Sequence, residues 1–415
     1  VKSNVIALVE AEDRRFPLEG GAGTDAVHQV TEYAFAVTKI VSDSGLIGSG
    51  LVLTLGTGNG IVCSLIAEYG RRLPKVPIEE LMADFGAVSR RLADDACLRW
   101  LGPHKGAVHL ALASVTNACF DLWAKARGVP LWKLLLNLSP SDIAQLLDFS
   151  YLEEDLTREQ AVELITSQQE TRGIREPIID RGYPGYDTSV GWFQYEDAQL
   201  LENARNALGS GFRALKLKVG SPDSARDIRR AELLRELAGP ECKLMLDANQ
   251  QWTLKQAEYV CEAVRDLNIF WIEEPTHPDD IESHVKLVQK IAPMGVALGE
   301  HVPNRVMFRN FMTRQALQFV QADCTRLAGV SEFITVSLLA RKYGLPVAPH
   351  VGDMGQIHQH LVLFNHVALG HDALFLEHIP HMRDHFVHPA KVSNGTYQTP
   401  QEPGLSCGLK PSHDS

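Results

Sequence analysis

One pattern repeats eight times in the second half of the chain. Between residues 183 and 377 the runs YDTSVGW, ALKLKV, KLMLD, FWIEE, VALGE, QFVQAD, PVAPH and LFLE read as short strands, and amphipathic stretches such as SARDIRRAELLREL, LKQAEYVCEAVRDL and VSEFITVSLLARKYG separate several of them. Consecutive parallel strands need a crossover long enough to hold a helix, so this alternation predicts right-handed βαβ units. Eight such units close on themselves as a (β/α)8-type barrel. The pitch is too short for a doubly wound sheet with large insertions.

Each strand but the first also delivers an ionisable side chain at or near its end: Lys216 and Lys218, Asp247, Glu273, Glu300, Asp323, His350 and Glu377. From Lys216 the spacings are 31, 26, 27, 23, 27 and 27, one βα unit each time. Scattered surface charge has no reason to keep that period. In a parallel barrel all C-terminal strand ends open on one face, where active sites of this fold are assembled.

The set sorts by chemistry. Asp247, Glu273 and Glu300 stand at three consecutive strand ends, and converging carboxylates repel one another unless a cation neutralises them. All-oxygen ligation suits a hard ion, Mg²⁺ first; a salt-bridge cluster with the lysines is the competing reading. Lys216 and Lys218 are two apart and so share one side of their strand. Leu215, Leu217 and Val219 are too apolar for an exposed edge, which turns the lysines inward. Two inward lysines near a cation are expected to depress each other's pKa and free an amine to act as a base. Asp323 beside His350 would fix the tautomer of an acid/base imidazole and raise its basicity. In FWIEEP, strand alternation does not choose between Glu273 and Glu274, since Trp271 and Ile272 are both apolar. A cation holding a substrate carboxylate, with a lysine on one side and a histidine on the other, is equipped to remove a proton α to that carboxylate.

The first half reads differently. Residues 5 to 54 alternate like strands around an SDSG turn, and helical periodicity follows in IVCSLIAEYGRRL, PIEELMADFGAVSRRL and AVHLALASVTNACFDLWAKA, which makes a small α+β domain. LGTGNGIV resembles a dinucleotide loop only in part: the position of the third glycine is Ile61, so a glycine-rich turn is expected. The net charge of −11 argues against a nucleic-acid partner, because phosphate binding needs a concentrated basic surface. No run has the roughly 18 uncharged apolar residues of a membrane span. Seven dispersed cysteines without a C-x-x-C pair, and an N-terminal stretch that turns acidic with no cleavage signal, point to a cytoplasmic protein with reduced thiols.

ALKLKVG, LMLDANQ, FWIEEPTHPDD, LGEH, QADCTRLAGV and APH, in this order, resemble the enolase superfamily, mandelate-racemase subgroup. RFPLEGGAGTDAVH, LRWLGPHKGAVHLA, DLWAKA, YDTSVGW and HPDDIESH resemble its acid-sugar dehydratases of the L-fuconate dehydratase type. The resemblance implies an α/β protein with an α+β capping domain over 1–145, a connecting helical segment over 146–182, a barrel modified as (β/α)7β over 183–385, and a C-terminal segment over 386–415 returning to the cap. It implies Mg²⁺ on Asp247, Glu273 and Glu300, which makes Glu273 the ligand of the EE pair and Glu274 a structural neighbour. Lys218 would abstract the C2 proton of a small sugar-acid substrate, with Lys216 touching the substrate carboxylate. His350, supported by Asp323, would protonate the departing 3-hydroxyl to give a 2-keto-3-deoxy acid. Glu377, Asn249 and, from a cap loop over residues 18–28, Asp25 and His28 would bind substrate. Epimerisation by 1,1-proton transfer and a non-catalytic binding role are the alternatives, and the family implies a homo-oligomer. The stretch HVGDMGQIHQH departs from the glycine-rich stretch of the branch; Asp353 and Gln356 are expected to change the polarity of the pocket's rim. The histidine-rich HIPHMRDHFVH is expected to be a connection out of the barrel and not a second metal site.

Overall fold

The computed structural model describes residues 3–29 and 31–411. Residues 1, 2 and 30 of the expected cap and 412–415 of the expected C-terminal segment lie outside them. Three antiparallel strands open the chain: β1 (Ile6–Pro17), β2 (Glu32–Ser42) and β3 (Ile47–Thr54), in the order β1-β2-β3. The turn between β2 and β3 closes where the Gly45 amide donates to the Ser42 carbonyl at 2.9 Å, with Gly45 at φ 82, a conformation glycine adopts without penalty. The helix Gly106–Ala126 packs on this sheet and is buried at every position from Ala111 to Ala124. Contact is close enough that a Cβ on Gly50 would stand 1.9 Å from the Ser114 carbonyl oxygen. The other face of the helix meets the second half of the chain, where Asn117 Nδ2 donates to the Cys324 carbonyl at 3.0 Å and Thr116 Oγ1 to that of Ala328 at 2.7 Å.

The glycine-rich stretch is a turn: Gly58, at φ 97, caps the helix Asn59–Arg72. PIEELMADFGAVSRRL divides at Asp84 into helices Ile78–Ala83 and Phe85–Ala93. Behind the break Gly86 meets the backbone of Leu147, so close that a Cβ would lie 2.2 Å from that carbonyl.

The second half is barrel-like. Strands β4 (Tyr183–Gly191), β5 (Ala214–Lys218), β6 (Lys243–Asp247), β7 (Ile269–Glu273), β8 (Gly295–Leu298) and β9 (Phe319–Val320) lie side by side in chain order, all parallel. β10 (Leu376–His378) pairs in parallel with β4, which brings the last strand beside the first. PVAPH supplies one parallel bridge, Val347 to Val320, and no longer strand. Pro346 and Pro349 flank it and have no amide to donate to a ladder. A helix follows each of the first seven strand positions, from Asp197–Gly209 to Ile357–Leu369.

Two apolar clusters set the direction of every strand side chain. Tyr186, Ala214, Met245, Trp271, Ala297 and Ala348 fill the lumen as a cluster of their own, while Leu215, Leu217, Leu244, Leu246, Ile272 and Val296 belong to the main core under the helices. Side chains alternate along a strand, so Lys216 and Lys218 follow Ala214 inward, Asp247 follows Met245, and Glu273 follows Trp271. The lumen floor thus aims the polar layer above it.

After β10 the chain makes a 3₁₀ turn (Pro380–His385) and a hairpin, β11 (Val392–Ser393) and β12 (Thr396–Tyr397), that adds to β4. Residues 404 and 405 then return to the first layer: the Leu131 amide donates to the Gly404 carbonyl at 3.0 Å and the Leu405 amide to Asp121 Oδ1 at 2.7 Å. No helix among the described residues is long and apolar enough to cross a membrane.

Burial in the helix Ile357–Leu369 holds His360 neutral, with its pKa down to about 3. An unfolded histidine titrates near 6.5. The unfolded chain therefore binds the extra proton between these values, and the stability His360 contributes is present above about pH 6.5 and lost as pH falls toward 3. Urea unfolding between pH 6 and 4.5 should show a slope of stability on pH shallower in His360→Gln than in the wild type by up to about 1.4 kcal/mol per pH unit. Equal slopes would mean that His360 is not buried in its neutral form.

Candidate active site

The strand ends bring Asp247, Glu273 and Glu300 together, each offering an oxygen within 4.8 Å of the others. Asp247 and Glu273 are buried and Glu300 is half-buried on the wall of a cavity of about 430 Å³. Oxygens around one Mg²⁺ stand roughly 3 to 4 Å apart, given metal–oxygen distances of about 2.0–2.1 Å, so a small inward movement closes the trio. The donor set is all oxygen. Asn249 Oδ1 adds a buried acceptor on the same cavity with no hydrogen-bond partner among the described residues. These residues fit a hard divalent cation.

Lys216 is wholly inside: its ammonium lies 2.7 Å from Glu273 Oε1, 2.7 Å from Glu377 Oε1 and 3.3 Å from Asp247 Oδ2. Lys218, one step higher, donates to Asp247 Oδ2 at 2.6 Å and lines the cavity. Glu377 accepts from Thr188 Oγ1 at 2.6 Å and from the Val351 amide at 2.8 Å. Trp271 Nε1 donates to Glu273 Oε2 at 3.2 Å, so the floor of the lumen holds this carboxylate in place.

Across the barrel His350 Nδ1 lies 2.8 Å from Asp323 Oδ2, which leaves Nε2 toward the cavity, 3.4 Å from Glu300 Oε2. Asp323 Oδ1 is fixed by the Thr325 amide and hydroxyl, each at 2.7 Å, and approached by His358 Nε2 at 3.3 Å. The loop of residues 18–28 lies over this chamber, tied to the end of β4 by the Phe193 amide donating to the Thr24 carbonyl at 3.0 Å. It brings in Asp25 and His28, joined through Oδ2 and Nδ1 at 2.9 Å. All the residues expected from the sequence to form the site thus meet at or directly beneath one chamber.

Electrostatics differ from expectation at the lysines. Burial opposes the charged form, but Asp247 lifts the proton affinity of Lys218 above its ordinary value, and Glu273 and Glu377 do the same for Lys216. Carboxylates at under 3 Å outweigh the repulsion between the two ammonium groups. Burial and the charge of Asp247 push Glu273 up to about 8, whereas Lys216 and His350 hold Glu377 down to about 2 despite its burial. For His350 burial works downward, yet Glu300 and Asp323 raise it to about 9.

The rim also differs. Gln356 turns away from the chamber, its Nε2 donating to the His388 carbonyl at 3.0 Å. Asp353 reaches the chamber wall, but its Oδ2 is engaged inside the protein by Tyr397 Oη at 2.6 Å and the Ile379 amide at 2.8 Å. The histidine-rich stretch packs against other elements: His378 stacks on Phe212, His381 approaches Tyr33 and Trp192, and His385 approaches Phe16. Residues not anticipated from sequence are Trp192 and Arg326, which line the chamber, His358 behind Asp323, and His301. His301 directly follows a metal-type carboxylate in LGEH, a visible signal; His358 and Trp192 carry none.

Replacing Asp323 by Asn should lower the His350 pKa by one unit or more, because a hydrogen-bonded carboxylate is then lost from the imidazolium. Histidine proton NMR titration of the metal-free protein checks this. An unchanged value would place the cause of the raised pKa elsewhere.

Residues 199–413 match the family described as "Enolase C-terminal domain-like". The chain is 37 % identical to the human mitochondrial enolase superfamily member 1, whose crystal structure superposes with a TM-score of 0.94 over 98 % of this chain and 94 % of that one. It is 37 % identical to L-galactonate dehydratase of Hypocrea jecorina over 97 % of this chain and 91 % of the relative. A structure of L-talarate/galactarate dehydratase from Salmonella typhimurium LT2, liganded with Mg and L-lyxarohydroxamate, aligns with a TM-score of 0.77 at 26 % identity, covering 98 % of this chain and 91 % of that one. On fold, site geometry and sequence together, the chain belongs to the enolase superfamily.

Proposed function

We propose that the protein is a hydro-lyase, a Mg²⁺-dependent dehydratase of a sugar acid, which removes the C2 proton and the 3-hydroxyl to give a 2-keto-3-deoxy acid. The observation that carries this reading is the placement of Lys218 and the Asp323-backed His350 on different sides of one chamber, with the Asp247, Glu273 and Glu300 carboxylates between them. Relatives that are dehydratases of L-galactonate and of L-talarate/galactarate support it.

In this reading Asp247, Glu273 and Glu300 hold Mg²⁺, which supplies positive charge against the negative charge that develops on the substrate carboxylate as C2 loses its proton. Lys218 takes that proton. Once the carboxylates are neutralised, the ion pair that keeps Lys218 protonated weakens and the neutral amine becomes accessible. Lys216, fixed by Glu273 and Glu377, offers its charge to the substrate carboxylate. His350 Nε2 gives a proton to the departing 3-hydroxyl, and Asp323 keeps the ring turned for that transfer. Asn249, Glu377, Asp25 and His28 contact the remaining oxygens.

We take the substrate to be L-fuconate-like, a six-carbon aldonate ending in a methyl group. Leu53, Leu55, Ile61, Val62 and Leu110 form an apolar wall of the chamber that suits such an end. We also divide the chain into a cap over 1–145, a connecting segment over 146–182, a (β/α)7β barrel over 183–385 and a returning segment over 386–415. The seven unpaired cysteines fit a reducing compartment, the cytoplasm in this reading. Trp100 and Leu101, exposed side by side, fit a homo-oligomer.

Incubation with aldonic acids and Mg²⁺ in D₂O tests the reaction. Keto-acid formation is expected; deuterium at C2 without loss of the hydroxyl would show epimerisation instead. Lys218→Ala should lower kcat by roughly 10²–10⁴-fold and abolish C2 exchange. His350→Asn should lose elimination to a similar extent but keep exchange. Unchanged turnover in Lys218→Ala would refute a catalytic role for this amine. L-fuconate should exceed L-galactonate in kcat/KM by about 10-fold or more, because the 6-hydroxyl meets the apolar wall. The reverse order would remove the assignment of a methyl end.

A further inference from the structure

Beside His350–Asp323 and His28–Asp25, the chamber has a third imidazole–carboxylate pair, which the chemistry above does not use. His301 Nδ1 lies 2.7 Å from Glu274 Oε1, close to the 2.8 Å between His350 Nδ1 and Asp323. Glu274 is buried, and Gln250 Nε2 donates to its other oxygen at 2.8 Å while lying 2.6 Å from the same His301 Nδ1. Its backbone is held as firmly: the Glu274 amide donates to the Ala297 carbonyl at 3.0 Å, and its carbonyl accepts from the Gln250 amide at 2.7 Å.

This support is strained. Asn249, Gln250 and Glu274 adopt left-handed backbone at φ 43, 66 and 42, and none of them is a glycine. Such conformations persist where the surroundings over-determine them, and they gather at ligand clamps and active sites. Glu300 sits between this pair and His350–Asp323, Oε1 at 3.5 Å from His301 Nδ1 and Oε2 at 3.4 Å from His350 Nε2. The two imidazoles therefore approach different oxygens of Glu300. With Nδ1 turned to Glu274 and Gln250, His301 Nε2 has no hydrogen-bond partner among the described residues, and the ring lines the chamber.

We propose that His301, oriented by Glu274, is a specificity-determining residue whose Nε2 binds a hydroxyl oxygen of the sugar acid on the side of Glu300 away from His350. The contact selects polyhydroxy acids over simple 2-hydroxy acids. Removing a hydrogen-bonding hydroxyl from a ligand leaves the site's polar group unpaired, which makes such contacts strongly discriminating. The proposal rests on the sugar-acid reading of the site.

Two substitutions separate the ring's nitrogens. His301→Asn keeps a donor near Nδ1 for Glu274 and removes Nε2, while His301→Gln places an amide near the position of Nε2. In His301→Asn, KM for L-fuconate should rise about 10-fold or more with kcat changed by less than about 3-fold, and His301→Gln should recover part of that loss. Half-saturation by Mg²⁺ should stay within about 2-fold in both, since the ligand trio is untouched. Calorimetric titration with L-fuconate should show the same weakening when His301→Asn is added to a Lys218→Ala background, where turnover is slow against the titration. An unchanged KM, or Mg²⁺ half-saturation that rises in step with KM, overturns the proposal; the second outcome assigns the pair to the metal site. Failure of the wild type to form keto acid from any aldonate would defeat the dehydratase reading alone, and the calorimetric comparison would still decide the role of His301.

Discussion

Three carboxylates turned toward one point repel one another, and the polar layer of the second half of the chain is arranged around that repulsion. Asp247 and Glu273 are buried, so solvent screens their charge little, and Glu300 completes the group from the chamber wall. Without a cation the lysines do the balancing. Lys216 bridges Asp247, Glu273 and Glu377, and Lys218 leans on Asp247. Glu273 shares in the same balance, since burial and the charge of Asp247 raise its affinity for a proton. In the proposed reading a divalent cation held by the trio would take over that task and free Lys218 for chemistry.

What aims the charges is apolar. Trp271, Met245 and Ala214 fill the lumen floor, and the side-chain alternation of their strands carries Glu273, Asp247 and the lysines inward one layer above. Trp271 also donates a hydrogen bond to Glu273, so floor and ligand are one unit. The first layer of the molecule closes the chamber from the other end. Its loop over residues 18–28 contributes Asp25 and His28, and its helix Gly106–Ala126 bonds to the backbone near Asp323, at Cys324 and Ala328.

The period of ionisable strand ends made the barrel-like order of the strands and the meeting of their end residues legible in the sequence, because a repeat of 23 to 31 residues is also the length of one βα unit. Other features depended on contacts that no local pattern encodes. The choice between Glu273 and Glu274 turns on which of two apolar neighbours faces the lumen, and Trp271 does so only because the floor cluster requires a large ring there. The sixth and seventh strands are shorter than their β-rich runs suggest, since prolines interrupt the ladder at Val347. The proton affinity of the lysines depends on distances to carboxylates more than 25 residues away in sequence. Asp353 and Gln356 read as rim residues but are engaged by Tyr397 and by the His388 carbonyl, partners supplied by the returning C-terminal segment.

The central claim is that the trio is a divalent-cation site whose occupation relieves buried repulsion. The thermal midpoint of the protein, followed against Mg²⁺ concentration at constant ionic strength, measures this without reference to any substrate. A ligand that binds only the folded state stabilises it by about RT ln(1 + [L]/Kd). The account predicts a midpoint that rises with Mg²⁺ in the wild type and in Glu274→Gln, and stays flat in Glu273→Gln. A flat response in the wild type, or a rise that survives in Glu273→Gln and is lost in Glu274→Gln, would contradict it.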